Sequence, residues 1–216
     1  MSPIIALIQT FSISTSLLAS GSILTLSLFS IPLLTSQPAS RSLPQIRWLF
    51  SRGSHIFPQA AILSSAGFIG LAFCSLAPGQ SATQILNLAR NNSTANGYLA
   101  AAVLSFSIGP FTQFVMIPTN FTLIKKNEDL GGARSEKSAN EGGMKGGKTA
   151  EESVEGKGDV NEFTDLSGPL GKTEREGTEE EERQVKELLG KFGCMNASRA
   201  ALIGAGGLVG LFTALL

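Results

Sequence analysis

Tyr98-Leu-Ala-Ala-Ala-Val-Leu-Ser-Phe-Ser-Ile-Gly-Pro-Phe-Thr-Gln-Phe-Val-Met-Ile-Pro-Thr-Asn120 is long enough to cross a bilayer and carries no charge. It nevertheless holds Tyr98, Thr112, Gln113, Thr119 and Asn120, polar groups that hydrocarbon penalises if they face lipid. Partners for them must come from inside the protein. At helical spacing Ser105, Gly109, Thr112, Met116 and Thr119 or Asn120 share one small and polar stripe, whereas Phe106, Phe114, Ile117 and Phe121 lie on other faces. The stretch reads as a membrane helix with one face toward other helices and one toward lipid.

Outward from that helix, the charge of the chain is segregated. All 17 acidic residues lie between Glu128 and Glu187, and 12 of the 17 basic ones between Lys125 and Lys191, so the zero net charge averages two different materials. Elsewhere only Arg41, Arg47, Arg52, Arg90 and Arg199 are charged. Four uncharged runs, at about 10–34, 57–77, 98–119 and 197–216, are each long enough for a membrane helix. The expected fold is all-α, a four-helix transmembrane bundle with a long disordered polar insert between helices three and four. Residues 1–126 hold the first three spans. Residues 127–178, rich in Gly, Glu and Lys, have too few apolar side chains to order themselves. Residues 179–216 comprise an amphipathic lead-in helix, acids first and bases later, and the fourth span.

The connections carry their own signals. The first run lacks a basic flank and reads as a retained helix rather than a cleaved signal. Its many hydroxyls can bond back to carbonyls of the preceding turn and allow a neighbouring helix to approach closely. Pro32 and Pro38 end this span, Gln37 to Ser54 reads as a basic, aromatic connector with Trp48 at headgroup level, and Pro58 suits the first turn of the second span. In the fourth span Gly206 and Gly210 form a small-xxx-small pair for tight packing within the bundle or between protomers.

Counting basic residues in the short flanks places the first connector and residues 127–190 in the cytosol, and both termini and the 78–97 loop in a lumen. The protein is thus expected to be a multi-pass endomembrane protein, with glycosylation acceptors Asn91 and Asn92 on the lumenal side. Cys74 and Cys194 are too few and too far apart for a disulfide framework or a thiolate metal site. Gly146-Gly147-Lys148-Thr149 lacks the preceding strand of a phosphate loop.

No carboxylate lies in or beside the expected spans, and His55 is the only histidine. Iron centres held by two histidines and a carboxylate, bis-histidine haem and di-iron carboxylate sites all need ligands this chain lacks. Proton relays need intramembrane ionisable groups and are disfavoured with them. What the residues allow is a small polar cavity lined by hydroxyl, amide, indole, phenol and imidazole groups, suited to an apolar polyphenolic molecule.

The pattern Pro110-Phe111-Thr112-x-x-x-Met116-x-Pro118-Thr119-Asn120-x-x-Leu123 resembles the hallmark of the fungal anthrone oxygenase family, which includes the noranthrone monooxygenases. Trp48 with Gly53 and Pro58, Tyr98 opening helix three, and Met195-Asn196-x-x-Arg199 opening helix four are similar to it as well. Phe192 stands where family members tend to carry tryptophan, and the polar insert is longer than the family pattern implies.

The resemblance implies cofactor-independent oxidation of an anthrone to an anthraquinone by O2 in secondary metabolism, with no metal and no other cofactor. An anthrone methylene is acidic because its carbanion is an aromatic phenolate, so removing that proton, shielding the anion and admitting oxygen suffice. His55 is the one side chain with an ordinary pKa suited to act as base. Tyr98, Thr112, Thr119 and Asn120 are candidate donors to the ketone oxygen, and Trp48 can stack on the rings. The catalytic candidates are therefore His55, Tyr98 and Asn120; the substrate-binding candidates are Trp48, Thr112, Met116, Thr119, Asn196 and Arg199. Expected partners are an aromatic polyketide, O2 and the lipid bilayer, with contact to pathway enzymes or a second copy also open and no nucleic acid. The alternative is a non-catalytic membrane scaffold whose insert recruits soluble biosynthetic enzymes.

Overall fold

The computed structural model describes residues 2–76, 93–141, 148–156, 159–161 and 163–216. In chain order the helices are α1 (Pro3–Thr35), α2 (Ala39–Cys74), α3 (Ser93–Asp129), the short α4 (Glu136–Asn140) and α5 (Ala150–Glu155), and α6 (Glu179–Leu215). No strand occurs among the described residues. α1, α2, α3 and α6 are each long and apolar enough to cross a membrane, which makes the chain a multi-pass membrane protein with an all-α fold. Pro78-Gly79, Arg90, the Asn91 and Asn92 acceptors and the Gly146-Gly147 pair lie outside the described residues.

The helices run further than their apolar cores. α2 begins at Ala39 rather than near residue 57, so the stretch read as a connector is helical almost throughout. Pro44 does not stop it, although a proline within a helix leaves the carbonyl four residues earlier without its donor. That carbonyl belongs to Ser40, and it accepts instead from the backbone N–H of Thr173 at 2.8 Å. The first turn of α2 is further held by Glu182, whose carboxylate accepts from the Ala39 N–H at 2.8 and 2.9 Å, a negative group at the positive end of a helix. α3 likewise starts at Ser93 and continues to Asp129.

α1 and α3 share one irregularity. Each contains a π-helical turn, Leu26–Ser30 in α1 and Thr112–Met116 in α3, and each is followed two residues later by a proline, Pro32 or Pro118. A widened turn lets the ladder slip past a residue with no N–H and a ring that crowds the preceding turn.

The chain forms two compact units. The first comprises Met1–Leu24, Ile56–Gln113 and Ala197–Leu216. Each of its helical stretches is about 20 residues long, about 30 Å at the α-helical rise and so matched to the hydrocarbon core of a bilayer. Arg199 is its only charged residue among those described. Leu7, Leu18, Ile62, Val103, Phe106 and Phe212 are exposed, the large apolar surface that lipid requires.

Inward, this unit is joined by hydroxyls and small residues. Ser16 and Ser105, both fully buried, meet Oγ to Oγ at 3.0 Å between α1 and α3, and Ser20 donates to the Ala200 carbonyl on α6 at 2.8 Å. On the outer face of α1, Thr10 and Ser22 instead bond back to the carbonyls of Ala6 and Leu18. The Gly206 and Gly210 pair is used within the bundle: a Cβ at Gly206 would sit 2.9 Å from the Ala101 carbonyl oxygen on α3, and one at Gly210 would sit 2.3 Å from the Phe68 ring on α2. Gly109, expected on the inward stripe of α3, is exposed with nothing within 4 Å.

The second unit comprises Thr25–His55 and Phe114–Asn196 and holds the other described charges. The order present in its polar segment comes from hydrogen bonds more than from apolar burial. Arg47, buried on α2, donates to the Ser153 carbonyl at 2.9 Å and to its hydroxyl at 3.3 Å. Ser153 passes its own proton to Glu128 Oε1 at 2.6 Å. Arg134 pairs with Asp159 at 3.7 Å, and Asp159 accepts from Ser138 at 2.8 Å. Buried charges of this kind persist only when such partners are supplied.

Two substitutions test these packing arguments. Gly206→Val forces a side chain into the α3 backbone and should destabilise the first unit by about 1–3 kcal/mol, read as a lower unfolding midpoint in detergent. Ser153→Ala strips a hydroxyl from between two buried charges and should cost about 1–3 kcal/mol, read as faster proteolysis within residues 131–178.

Candidate functional site

In the first unit the polar centre is Tyr98. Its ring is buried on α3 and stacks against Phe68 of α2 with centroids 6.5 Å apart, inside a core that includes Leu71, Ala101 and Ala102. Its oxygen accepts from Gln9 Nε2 at 2.7 Å, which leaves the phenolic proton free to be donated elsewhere. Both side chains line a cavity of about 290 Å³ shared with Thr94, Ser75, Leu71 and Thr213. That volume is near the lower end of small-molecule sites, and the mixture of apolar wall and a few fixed polar groups is typical of them. Gln9 was not singled out from sequence, although it is the one amide in the uncharged stretch from Ile4 to Leu34, and an isolated amide in such a stretch is itself a signal.

Thr112 and Arg199 belong to the same unit but are not in that cavity's wall. Thr112 donates to the Ile108 carbonyl at 2.6 Å, one turn back along its own helix. The Arg199 guanidinium is buried and lies over the Phe57 ring, 5.7 Å from its centroid.

The remaining candidates belong to the second unit. Trp48, Arg52 and His55 lie along one face of α2, and residues 163–167 run antiparallel along it. The Phe163 ring packs on the His55 imidazole with centroids 4.2 Å apart. Arg52 donates to the carbonyls of Asp165 and Ser167 and covers the Trp48 ring at 5.2 Å from its centroid. The Trp48 indole N–H donates to the Ser167 carbonyl at 3.0 Å. Trp48 is thus held by protein groups as well as facing outward.

Asp165 fixes this run of chain. Its carboxylate is buried and accepts from Ser135 at 2.5 Å and from the Ser167 hydroxyl and N–H at 2.7 and 3.0 Å. Burial opposes ionisation, but these hydrogen bonds and the nearby Arg52 outweigh it and hold the carboxyl below its ordinary value.

On α3, Met116 and Thr119 are buried, and the buried Asn120 Oδ1 finds no hydrogen-bond partner among the described residues. An orphaned amide oxygen costs about 1–3 kcal/mol until a donor arrives. Asn196 on α6 is also buried. Phe192, standing where the resembling family tends to have tryptophan, packs edge-on against Phe50 with centroids 5.0 Å apart, so its ring serves the interior. Tyr98 therefore belongs to one unit and His55 and Asn120 to the other.

A model of the anthrone oxygenase family matches the chain over residues 47–209. The chain belongs to the anthrone oxygenase family. The matched range includes every candidate named from sequence, from Trp48 to Arg199, and leaves Gln9 outside. No curated protein and no solved structure matches at a significant level. For this anthrone oxygenase family member, no cluster of three or more His, Cys, Asp or Glu among the described residues is placed to hold a metal.

The depressed Asp165 pKa gives a signed expectation. The folded value lies below the unfolded one, so the stabilisation is complete above pH about 4, the ordinary Asp range, and is lost as pH falls through the folded value. Amide hydrogens in residues 163–167 should be protected relative to their intrinsic exchange rates at pH 6 and lose that protection below about pH 4. Asp165→Asn should lack that protection at both.

Proposed function

We propose that this protein oxidises an anthrone-type polyketide to the corresponding anthraquinone with molecular oxygen, without a cofactor. The observation that carries the reading is the family match across residues 47–209, within which every candidate site residue falls. The reaction balances without an external reductant. The anthrone methylene loses two hydrogens and gains one oxygen atom, the other oxygen leaves as water, and O2 accepts all four electrons.

The residue roles follow from the chemistry. His55 takes the methylene proton, since imidazole is the available base closest to neutral pH. In the other unit, the Tyr98 phenol, oriented by Gln9, has a proton to donate to a ligand oxygen within its own cavity. Asn120 Oδ1 accepts from a phenolic hydroxyl of the substrate, an assignment favoured by its lack of any other donor among the described residues. Trp48, Met116, Thr119 and Asn196, of the same unit as His55 and Asn120, shape and bind around the rings, whereas Thr112 and Arg199 belong to the unit of Tyr98. The basic flanks favour an endomembrane orientation with residues 127–190 in the cytosol and the termini in the lumen.

The test is oxidation of emodin anthrone by membranes containing the protein, with a chelator present and quinone absorbance as the signal. A rate above that of empty membranes is expected; none above them would overturn the reading for this substrate class. His55→Ala should lower turnover about tenfold or more. Tyr98→Phe should weaken binding of a phenolic ligand in the cavity of the first unit, and Gln9→Leu should do so less because the phenol remains.

A further inference from the structure

Among the described residues between α3 and α6, Phe163 and Leu166 are the most exposed large apolar side chains, ahead of Val154. Phe163 is 72% exposed and Leu166 is 87% exposed. In water, such exposure amid charged residues is unfavourable, and side chains of this kind close together mark a surface that meets something apolar.

Their position on α2 identifies what they meet. Phe163 packs on His55, the Asp165 carbonyl accepts from Arg52, and the Ser167 carbonyl accepts from Trp48. Arg52 is the last charged residue of α2, and from residue 53 to Cys74 the helix carries none. At the helical rise His55 lies only about 4–5 Å past Arg52. A final arginine with a tryptophan one turn away marks the headgroup level of a membrane helix. The loop is therefore pinned at the depth where headgroups give way to acyl chains, with Phe163 deeper than Leu166.

We propose that residues 163–166 form an interfacial anchor, in which Phe163 and Leu166 insert into the headgroup and acyl boundary of the bilayer that α2 crosses. Arg52 supplies the lipid-phosphate charge at the same level, and Asp165 is turned inward onto Ser135 and Ser167, away from that surface. The polar insert is then tied to the membrane at its middle. Near Lys172 the chain is elsewhere: Thr173 bonds Ser40, twelve residues before Arg52 on α2 and so about 18 Å from that level.

The experiment uses the full chain with Cys74→Ser and Cys194→Ser, purified into lipid vesicles that contain no other protein. Single cysteines are placed by Phe163→Cys, Leu166→Cys or Lys172→Cys and labelled with a water-soluble maleimide. Labelling at 163 and 166 should be at least fivefold slower than at 172. In a parallel set, the emission that Phe163→Trp and Leu166→Trp add to that of Trp48 in the parent chain should be quenched by bromine on lipid acyl chains, 163 more strongly than 166, and the emission that Lys172→Trp adds should not. Equal labelling at the three sites, or quenching no greater than at 172, overturns the anchor. Protection found in native membranes but absent from the purified vesicles also overturns it, because a protein partner would then be the occupant.

Discussion

Hydrocarbon offers no hydrogen bonds, and that constraint organises the membrane-embedded unit. Every polar group its helices carry has to be answered by the helices themselves. Hydroxyls on the lipid side of α1 return their protons to their own backbone, whereas Ser16 and Ser20 reach α3 and α6. Close approach is what makes the second kind possible, and Gly206 and Gly210 provide it by leaving no side chain between α6 and its neighbours. Tyr98 and Gln9 obey the same rule: a phenol and an amide placed where water is scarce satisfy one another and leave one proton for use.

In the second unit the same accounting is done with charges. Arg47, Glu128 and Ser153 form a chain of donors and acceptors, and Asp165 gathers its own hydroxyl and N–H donors. None of these groups is stable buried and unpaired, so the segment takes up the conformations that pair them. Arg52 and Trp48 link that network to α2 and hold residues 163–167 along the face that carries His55.

Much of the membrane architecture was legible in residue type alone. The four apolar runs, the lipid-facing Phe106 and Phe114, and the inward Ser105, Met116 and Thr119 follow from charge and helical spacing. Helix ends were less so. α2 starts at Ala39 because the difficulty posed by Pro44 is met from 129 residues away by Thr173, a partner that local propensity cannot reveal. The inward position expected for Gly109 fails because the α-helical pattern is interrupted at Ser107, between the buried Ser105 and Gly109, a local departure from the 3.6-residue spacing on which the stripe was drawn. Of the candidate site, residue identities came from a family pattern and from chemistry, while Gln9, Phe163 and Asp165 depend on contacts between distant parts of the chain. Low apolar content said that the insert lacks a core of its own, but not that α2 supplies the surface it leans on.

The Thr173 to Ser40 bond joins main chain to main chain. Any residue other than proline can donate at position 173, so the attachment is indifferent to side-chain identity at both ends. Drift in the composition of the neighbouring polar segment would leave this tether in place, whereas a single change that shortened or lengthened the chain between it and α6 would pull it out of register. Length, more than sequence, is the quantity that this part of the molecule has to keep.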